Sequence, residues 1–251
     1  MNIQPFISEH FDGAIWRMEI DELTEALFVE VRNSEEKKVS FGSVNLISGQ
    51  TYFKDFTTPE RWLTGIEVAF NGVLLLHNYQ SESGPAHKGL IAIDAINAVI
   101  LWSNYNFSFD HLSVNGPVLY DSRILPRKLF LANIKTGATI SNYEPSVYEE
   151  LQNNVMLPEW ISAGTFSKLI PVPALGNTAH YLEYNNYRIV SLHALKEGQL
   201  DQLLFIMEGA EKIYEDLLNT NIQKIQPESF ILHKNRLIYI KNKFELKVLS
   251  L

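Results

Sequence analysis

The chain has 251 residues, 46% of them hydrophobic and 20% charged, and carries a formal net charge of −8 from 29 acidic and 21 basic residues. That composition is globular rather than disordered, and its acidic balance repels a phosphate backbone, so nucleic acid is not expected as a partner. With no cysteine, disulfides, thiolate metal sites, iron–sulfur clusters and a cysteine nucleophile are excluded.

The first residues, through Ile3, Gln4, Pro5 and Phe6, contain neither a basic region nor a sustained apolar run. No later stretch approaches the roughly 20 apolar residues a membrane helix requires. A cytoplasmic protein without a membrane partner is the expectation.

Along the chain the recurring unit is an alternating strand, a small or polar turn, and a second strand ending in a large apolar residue. Residues 14–20 read as a strand, either the innermost of the first unit or a partner for the last hairpin. Residues 27–32 form the next strand, ahead of a hairpin over 41–53 that turns at Gly49. Residues 65–78 are two strands joined by Asn71-Gly72, the strongest short hairpin signal. The clearest hairpin copy follows at 90–102, and Asn115-Gly116 then leads to a third copy at 129–140 that turns at Gly137. Residues 148–152 suggest a helical turn. Residues 179–184 and 189–198 give a fainter copy, and 210–218 have apolar residues at helical spacing and predict a helix. The last strands run over 230–233 and 237–249.

Asn45, Asp94 and Asn133 occupy one turn slot, where a short polar side chain bonds nearby amides. Continuing that slot to positions 193 and 241 gives intervals of about 40 to 60 residues, enough for about four strands each. The prediction is an all-β chain: a single β-propeller domain over 1–251, with about five blades of four-stranded antiparallel sheet and one or two short helical insertions.

The unit Leu90-Ile91-Ala92-Ile93-Asp94-Ala95 with Leu101-Trp102 resembles the pyrroloquinoline-quinone-like repeat of β-propellers and is similar to WD-type repeats. Lys135-Thr136-Gly137 keeps the turn of that pattern and Ile15-Trp16 its last part. The overall likeness is nearest to uncharacterised bacterial propeller-like families. The resemblance implies the fold more than an activity. The quinone dehydrogenases of this repeat have more blades, a vicinal cysteine pair and a calcium site, so no cofactor is expected here. The outer-membrane assembly scaffold of bacteria, another relative, requires an export signal that this N-terminus does not encode.

In propellers, ligands bind where loops from several blades converge. The loops expected there, including 79–88, 104–111 and 55–62, supply Arg61, Trp62, Tyr79, His87, Tyr105, Asp110 and His111, with Trp160 from a later insertion. Such aromatics, carboxylates and imidazoles suit a small polar ligand such as a sugar or peptide, or a protein partner. The seven histidines form no HExxH pair, and His77 and His193 lie in apolar strand patterns, so no metal is expected. Glu67, Asp94 and Asp110 are the carboxylates a glycosidase would use. The reading is a binding or interaction module, with a carbohydrate-active hydrolase as the alternative.

Overall fold

A computed structural model describes residues 3–166, 170 and 172–251. These residues form five antiparallel sheets of four or five strands, an all-β arrangement consistent with a propeller. Strand β1 is Ile7–His10. The first meander is β2 (Ala14–Asp21), β3 (Ala26–Asn33), β4 (Lys38–Asn45) and β5 (Thr51–Phe56). The second is β6 (Thr64–Phe70), β7 (Val73–Ser81), β8 (Gly84–Asp94) and β9 (Ile100–Asn104). The third is β10 (Phe107–Ser113), β11 (Gly116–Asp121), β12 (Leu129–Ala132) and β13 (Thr139–Asn142). Then come β14 (Val155–Met156) and β15 (Glu159–Ser162), followed by β16 (Thr178–Tyr184), β17 (Tyr187–Lys196), β18 (Gln199–Glu208) and β19 (Glu211–Asn219). The last three are β20 (Ile231–His233), β21 (Arg236–Lys241) and β22 (Glu245–Ser250).

The chain divides into two compact units. In the unit Asp12–Asn153, the three meanders lie in sequence order. The run from Val73 to Leu76 is wholly buried because both faces of its sheet are covered. Leu74 and Leu76 pack with Phe28, Phe41 and Ile66 on one side, and Val73 and Leu75 pack with Leu119, Ala132 and Ile134 on the other. Asn71 and Gly72, at φ of 47° and 79°, make the tight turn between β6 and β7.

The shared turn slot is confirmed in these three meanders. Asn45 Oδ1 accepts the amides of Ile47 and Ser48, Asp94 Oδ1 those of Ile96 and Asn97, and Asn133 Oδ1 those of Lys135 and Thr136. Four residues on, Gly49, Ala98 and Gly137 have φ of 75°, 56° and 70°. The Trp102 indole N–H donates to Ile134 O at 2.7 Å, and its ring lies so close to Gly137 that an added Cβ would sit 2.8 Å from it.

The first strand of each meander carries a β-bulge at a similar position. The residue left without a partner in the ladder is Trp16 in β2, Glu67 in β6 and Asp110 in β10. A bulge re-aims one side chain and locally breaks the pairing, and here it does so in the first strand of each of the three sheets.

The second unit, Met1–Phe11 with Asn154–Leu251, holds the sheets β1-β22-β21-β20-β14 and β15-β16-β17-β18-β19. Strand β1 pairs with β22 from Ile7↔Val248 to His10↔Glu245. Residues 14–20 are therefore the first strand of the first meander, and an earlier segment borders the last hairpin. Tyr239 Oη donates to Asp216 Oδ2 at 2.7 Å, joining the two sheets across β19 and β21.

Three expectations are corrected. The segment predicted as a helix over 210–218 is β19, and its two bulges explain the error. Ile213 and Leu218 are the extra residues against β18, so the alternation changes phase twice and imitates helical spacing. Residues 148–152 hold no helix either: Val147 and Tyr148 donate to Glu144 O in a turn, and Glu150 bridges to Ser113. The short helical segments among the described residues are 3-10 turns at Ala163–Phe166 and Leu175–Asn177. Finally, the turn slot does not extend to 193 and 241. His193 is buried in mid-strand, the turn falls at Glu197-Gly198 with φ of 53° and 83°, and Lys241 ends β21 before a turn at Asn242 and Lys243.

In this second unit a buried polar cluster fastens residues 226–228. The His180 Nε2–H donates to Pro227 O at 3.0 Å, His193 Nε2 accepts the Gln226 amide at 3.0 Å, and Gln202 Nε2 donates to Glu228 O at 3.0 Å. Burial, reinforced by neighbouring His180, lowers the His193 pKa from 6.5 to about 4.

Gly137→Ala is expected to destabilise the protein by about 2 kcal/mol, since a Cβ meets the Trp102 ring and the positive φ is strained. Ala98→Gly in the same slot should have the opposite sign, a gain of about 0.5 kcal/mol; urea unfolding of both variants checks this. A second expectation concerns acid. The folded pKa of His193 lies below the unfolded one, so its contribution is complete above pH 6.5 and lost as pH falls toward 4, because the unfolded chain takes up the proton first. Between pH 7.5 and 5 that loss is about 2 kcal/mol. Unfolding of His193→Gln at both pH values should show a pH dependence smaller by that amount.

Candidate functional site

A cluster of polar and aromatic side chains spans the first two meanders of the unit Asp12–Asn153. It begins with Glu30, a carboxylate only 1% exposed in the apolar strand β3. Glu30 Oε1 accepts the Arg32 Nε–H at 2.7 Å, and Oε2 accepts the amide of Ile66, on the edge of the next sheet, at 2.9 Å. Arg32 extends to the same edge, donating to Thr64 O at 3.0 Å. Its guanidinium carbon lies 5.9, 5.2 and 5.7 Å from the ring centroids of Trp16, Trp62 and Tyr79. Arg17 donates to Glu67 O at 3.0 Å, and Asp21 Oδ2 accepts the Gly72 amide at 2.6 Å. The edge of β6 is thus held by three side chains from the first meander, and the turn that follows it by a fourth.

The Glu67 bulge turns its carboxylate toward two imidazoles. Glu67 Oε2 is 3.0 Å from His87 Nδ1, which hydrogen-bonds to it, and 3.1 Å from His77 Nδ1. His77 is 1% exposed, and beyond the Glu67 carboxylate that faces its Nδ1 neither ring nitrogen finds a hydrogen-bond partner. The two imidazoles stack at 3.4 Å and 7°, and Tyr79 meets each edge-on. Gly65 makes room for the buried ring, since a Cβ there would lie 2.9 Å from His77 Nε2. Burial opposes the charge on Glu67, but the two imidazoles outweigh it and hold the carboxyl below its ordinary range. Burial lowers His77 despite Glu67, and burial together with Glu30 raises Tyr79. Among the described residues, Glu67, His77 and His87 form the group that could hold a metal ion, each offering one ligand-type atom, all within 4.8 Å of one another.

Beside this cluster lies an open cleft of about 300 Å³ bordered by Glu60, Asn78, Tyr79, Lys88, Ser103 and Tyr105. Tyr105 is 70% exposed at its rim.

The structure therefore brings Trp62, Tyr79 and His87 together around Arg32 and Glu67, and Tyr79 and Tyr105 both line the cleft. Arg61 is exposed, and its carbonyl accepts the Val39 amide at 2.7 Å. Asp110 and His111 form a separate pair at 2.8 Å, with Tyr143 edge-on to the imidazole. Trp160 belongs to the other unit, where it packs against His180 at 3.8 Å. Most of 79–88 is strand rather than the expected loop, because β7 and β8 pair as far as Ser81↔Gly84, with Tyr79 opposite His87. The Asp94 carboxylate serves its turn. Sequence reasoning passed over Trp16, Glu30 and Arg32 as site residues. The available signal was a glutamate and an arginine two apart in an otherwise apolar strand.

These features define an all-β chain of antiparallel meanders whose first two sheets carry a rigid, aromatic-rimmed polar site. Residues 20–102 match a family model described as a domain of unknown function, DUF4905. The match covers about a third of the chain and includes Glu30, Arg32, Glu67, His77, Tyr79 and His87. No curated protein matches. Among solved structures, the chain is similar to BamB from Moraxella catarrhalis at 9% identity and a TM-score of 0.34, covering 94% of this chain and 84% of that one. It is similar to an endo-arabinase from Bacteroides thetaiotaomicron VPI-5482 at 10% identity and a TM-score of 0.29, covering 100% and 96%. A glucose dehydrogenase gives 12% identity and a TM-score of 0.26, covering 96% and 83%. At these values the likenesses say nothing of what this chain binds or does.

Proposed function

We propose that this chain is a binding module, each meander serving as one of five propeller blades, and that it takes a small polar ligand such as a short sugar or peptide in the cleft lined by Tyr79 and Tyr105. The observation that carries the reading is the cleft itself. Its volume of about 300 Å³ suits a ligand of one or two residues. The exposed Tyr105 ring offers a flat face for stacking, while Glu60, Asn78, Lys88 and Ser103 offer donors and acceptors of both kinds. Strands β7, β8 and β9 form much of the wall, joined by the segment 59–63 and the turn at Tyr105, and the strand part needs little ordering on binding.

The hydrolase alternative requires carboxylates able to act as acid and as base or nucleophile. The three candidates are otherwise engaged: Glu67 by two imidazoles, Asp94 by turn amides and Asp110 by His111. That engagement favours binding over turnover.

An array of mono- to tetrasaccharides and short peptides, probed with the labelled protein, tests the reading. At least one class should bind and be recovered uncleaved, and Tyr105→Ala should weaken it about tenfold, the worth of one aromatic stacking contact. Absence of binding, or recovery of cleaved ligand, overturns the proposal.

A further inference from the structure

We propose that Glu67, His77 and His87 form a binding site for a divalent transition-metal ion of the zinc class. This does not rest on the ligand reading above. Two imidazole nitrogens and one carboxylate oxygen are the donor set that borderline ions select over calcium or magnesium. Ligands placed about 2.0–2.1 Å from a tetrahedral zinc stand about 3.3 Å apart, close to the 3.0 and 3.1 Å that separate Glu67 Oε2 from the two Nδ1 atoms.

His77 supplies a second, independent observation. It is 1% exposed, and neither ring nitrogen has a hydrogen-bond partner, although Nδ1 faces the Glu67 carboxylate. A buried imidazole in that condition loses the compensation that buried polar groups ordinarily find, and coordination through Nδ1 supplies it. The carboxylate is aimed there by the β6 bulge, whose carbonyl is held by Arg17 and whose preceding amide is held by Glu30. The histidines come from opposed strands of one hairpin, β7 and β8. His87, with its side chain 36% exposed, stands at the solvent edge. It is the ligand that turns out of the stack as the ion enters, and its side leaves a coordination position open to water. The two histidines are 10 and 20 positions from Glu67 along the chain, outside any short metal-binding spacing, which is why the sequence pointed to no metal.

The test is calorimetric titration of Zn²⁺ into the full chain after chelator treatment, with Co²⁺ absorption reporting the ligand set. One zinc per chain with a Kd of about 10 µM or tighter is expected, together with a visible cobalt spectrum. His87→Ala lies at the solvent edge and should fold; it and Glu67→Gln should each weaken zinc about tenfold or more and abolish the cobalt bands. His111→Ala, outside the cluster, should change neither. Circular dichroism confirms that each variant is folded. Absence of zinc binding by the wild-type chain, or binding undiminished in folded His87→Ala, overturns the proposal.

Discussion

Glu30 carries a charge in the middle of an apolar strand, and the first two sheets meet around it. A buried carboxylate without partners costs several kcal/mol. Here one oxygen is taken by Arg32 and the other by the Ile66 amide of the neighbouring sheet. Both partners are needed for the charge to be tolerated, so the pair fixes the position of β6 relative to β3. Arg32 then spans to Thr64 O and stands among three aromatic rings. The site is a consequence of how an edge strand is secured.

That constraint reaches the chemistry through the bulge at Glu67. A regular strand would leave residue 67 in step with its neighbours. The extra residue breaks the ladder between Ile66 and Val68 and turns the carboxylate to His77 and His87. The same device at Trp16 and Asp110 yields an exposed indole beside Arg32 and a carboxylate–imidazole pair with His111. One backbone irregularity, repeated in three sheets, presents three different side chains. Repetition thus builds the scaffold, and the identity of the bulged residue gives each sheet its own chemistry.

What was legible in the sequence follows from the range of the interactions involved. The turns at Asn45, Asp94 and Asn133 are local: a side chain bonds amides two and three residues on, and a positive φ follows at the fourth. Such features recur in sequence because they are complete within one hairpin. They ceased to guide at His193 and Lys241, where two-residue and three-residue turns of another type replace them. Bulges were illegible for the opposite reason. An inserted residue leaves no mark except a change of phase, and two in β19 disguised a strand as a helix. Among site residues, Tyr79, His87 and Tyr105 could be chosen from their type and their place near hairpin ends. Glu30 and His77 could not be assigned a role, since the partners that give them one lie 36 residues and 10 residues away on other strands.

The most direct test of this account is amide hydrogen exchange at Ile66, compared between the wild-type chain and Glu30→Gln, with Leu74 and Leu75 as internal references for global opening. If the Glu30 carboxylate secures the edge of β6, Ile66 is protected in the wild type and exchanges at least about tenfold faster in the variant, while the references keep their relative protection. An Ile66 amide that exchanges like an exposed one in the wild type, or whose protection is unchanged by the substitution, would contradict it.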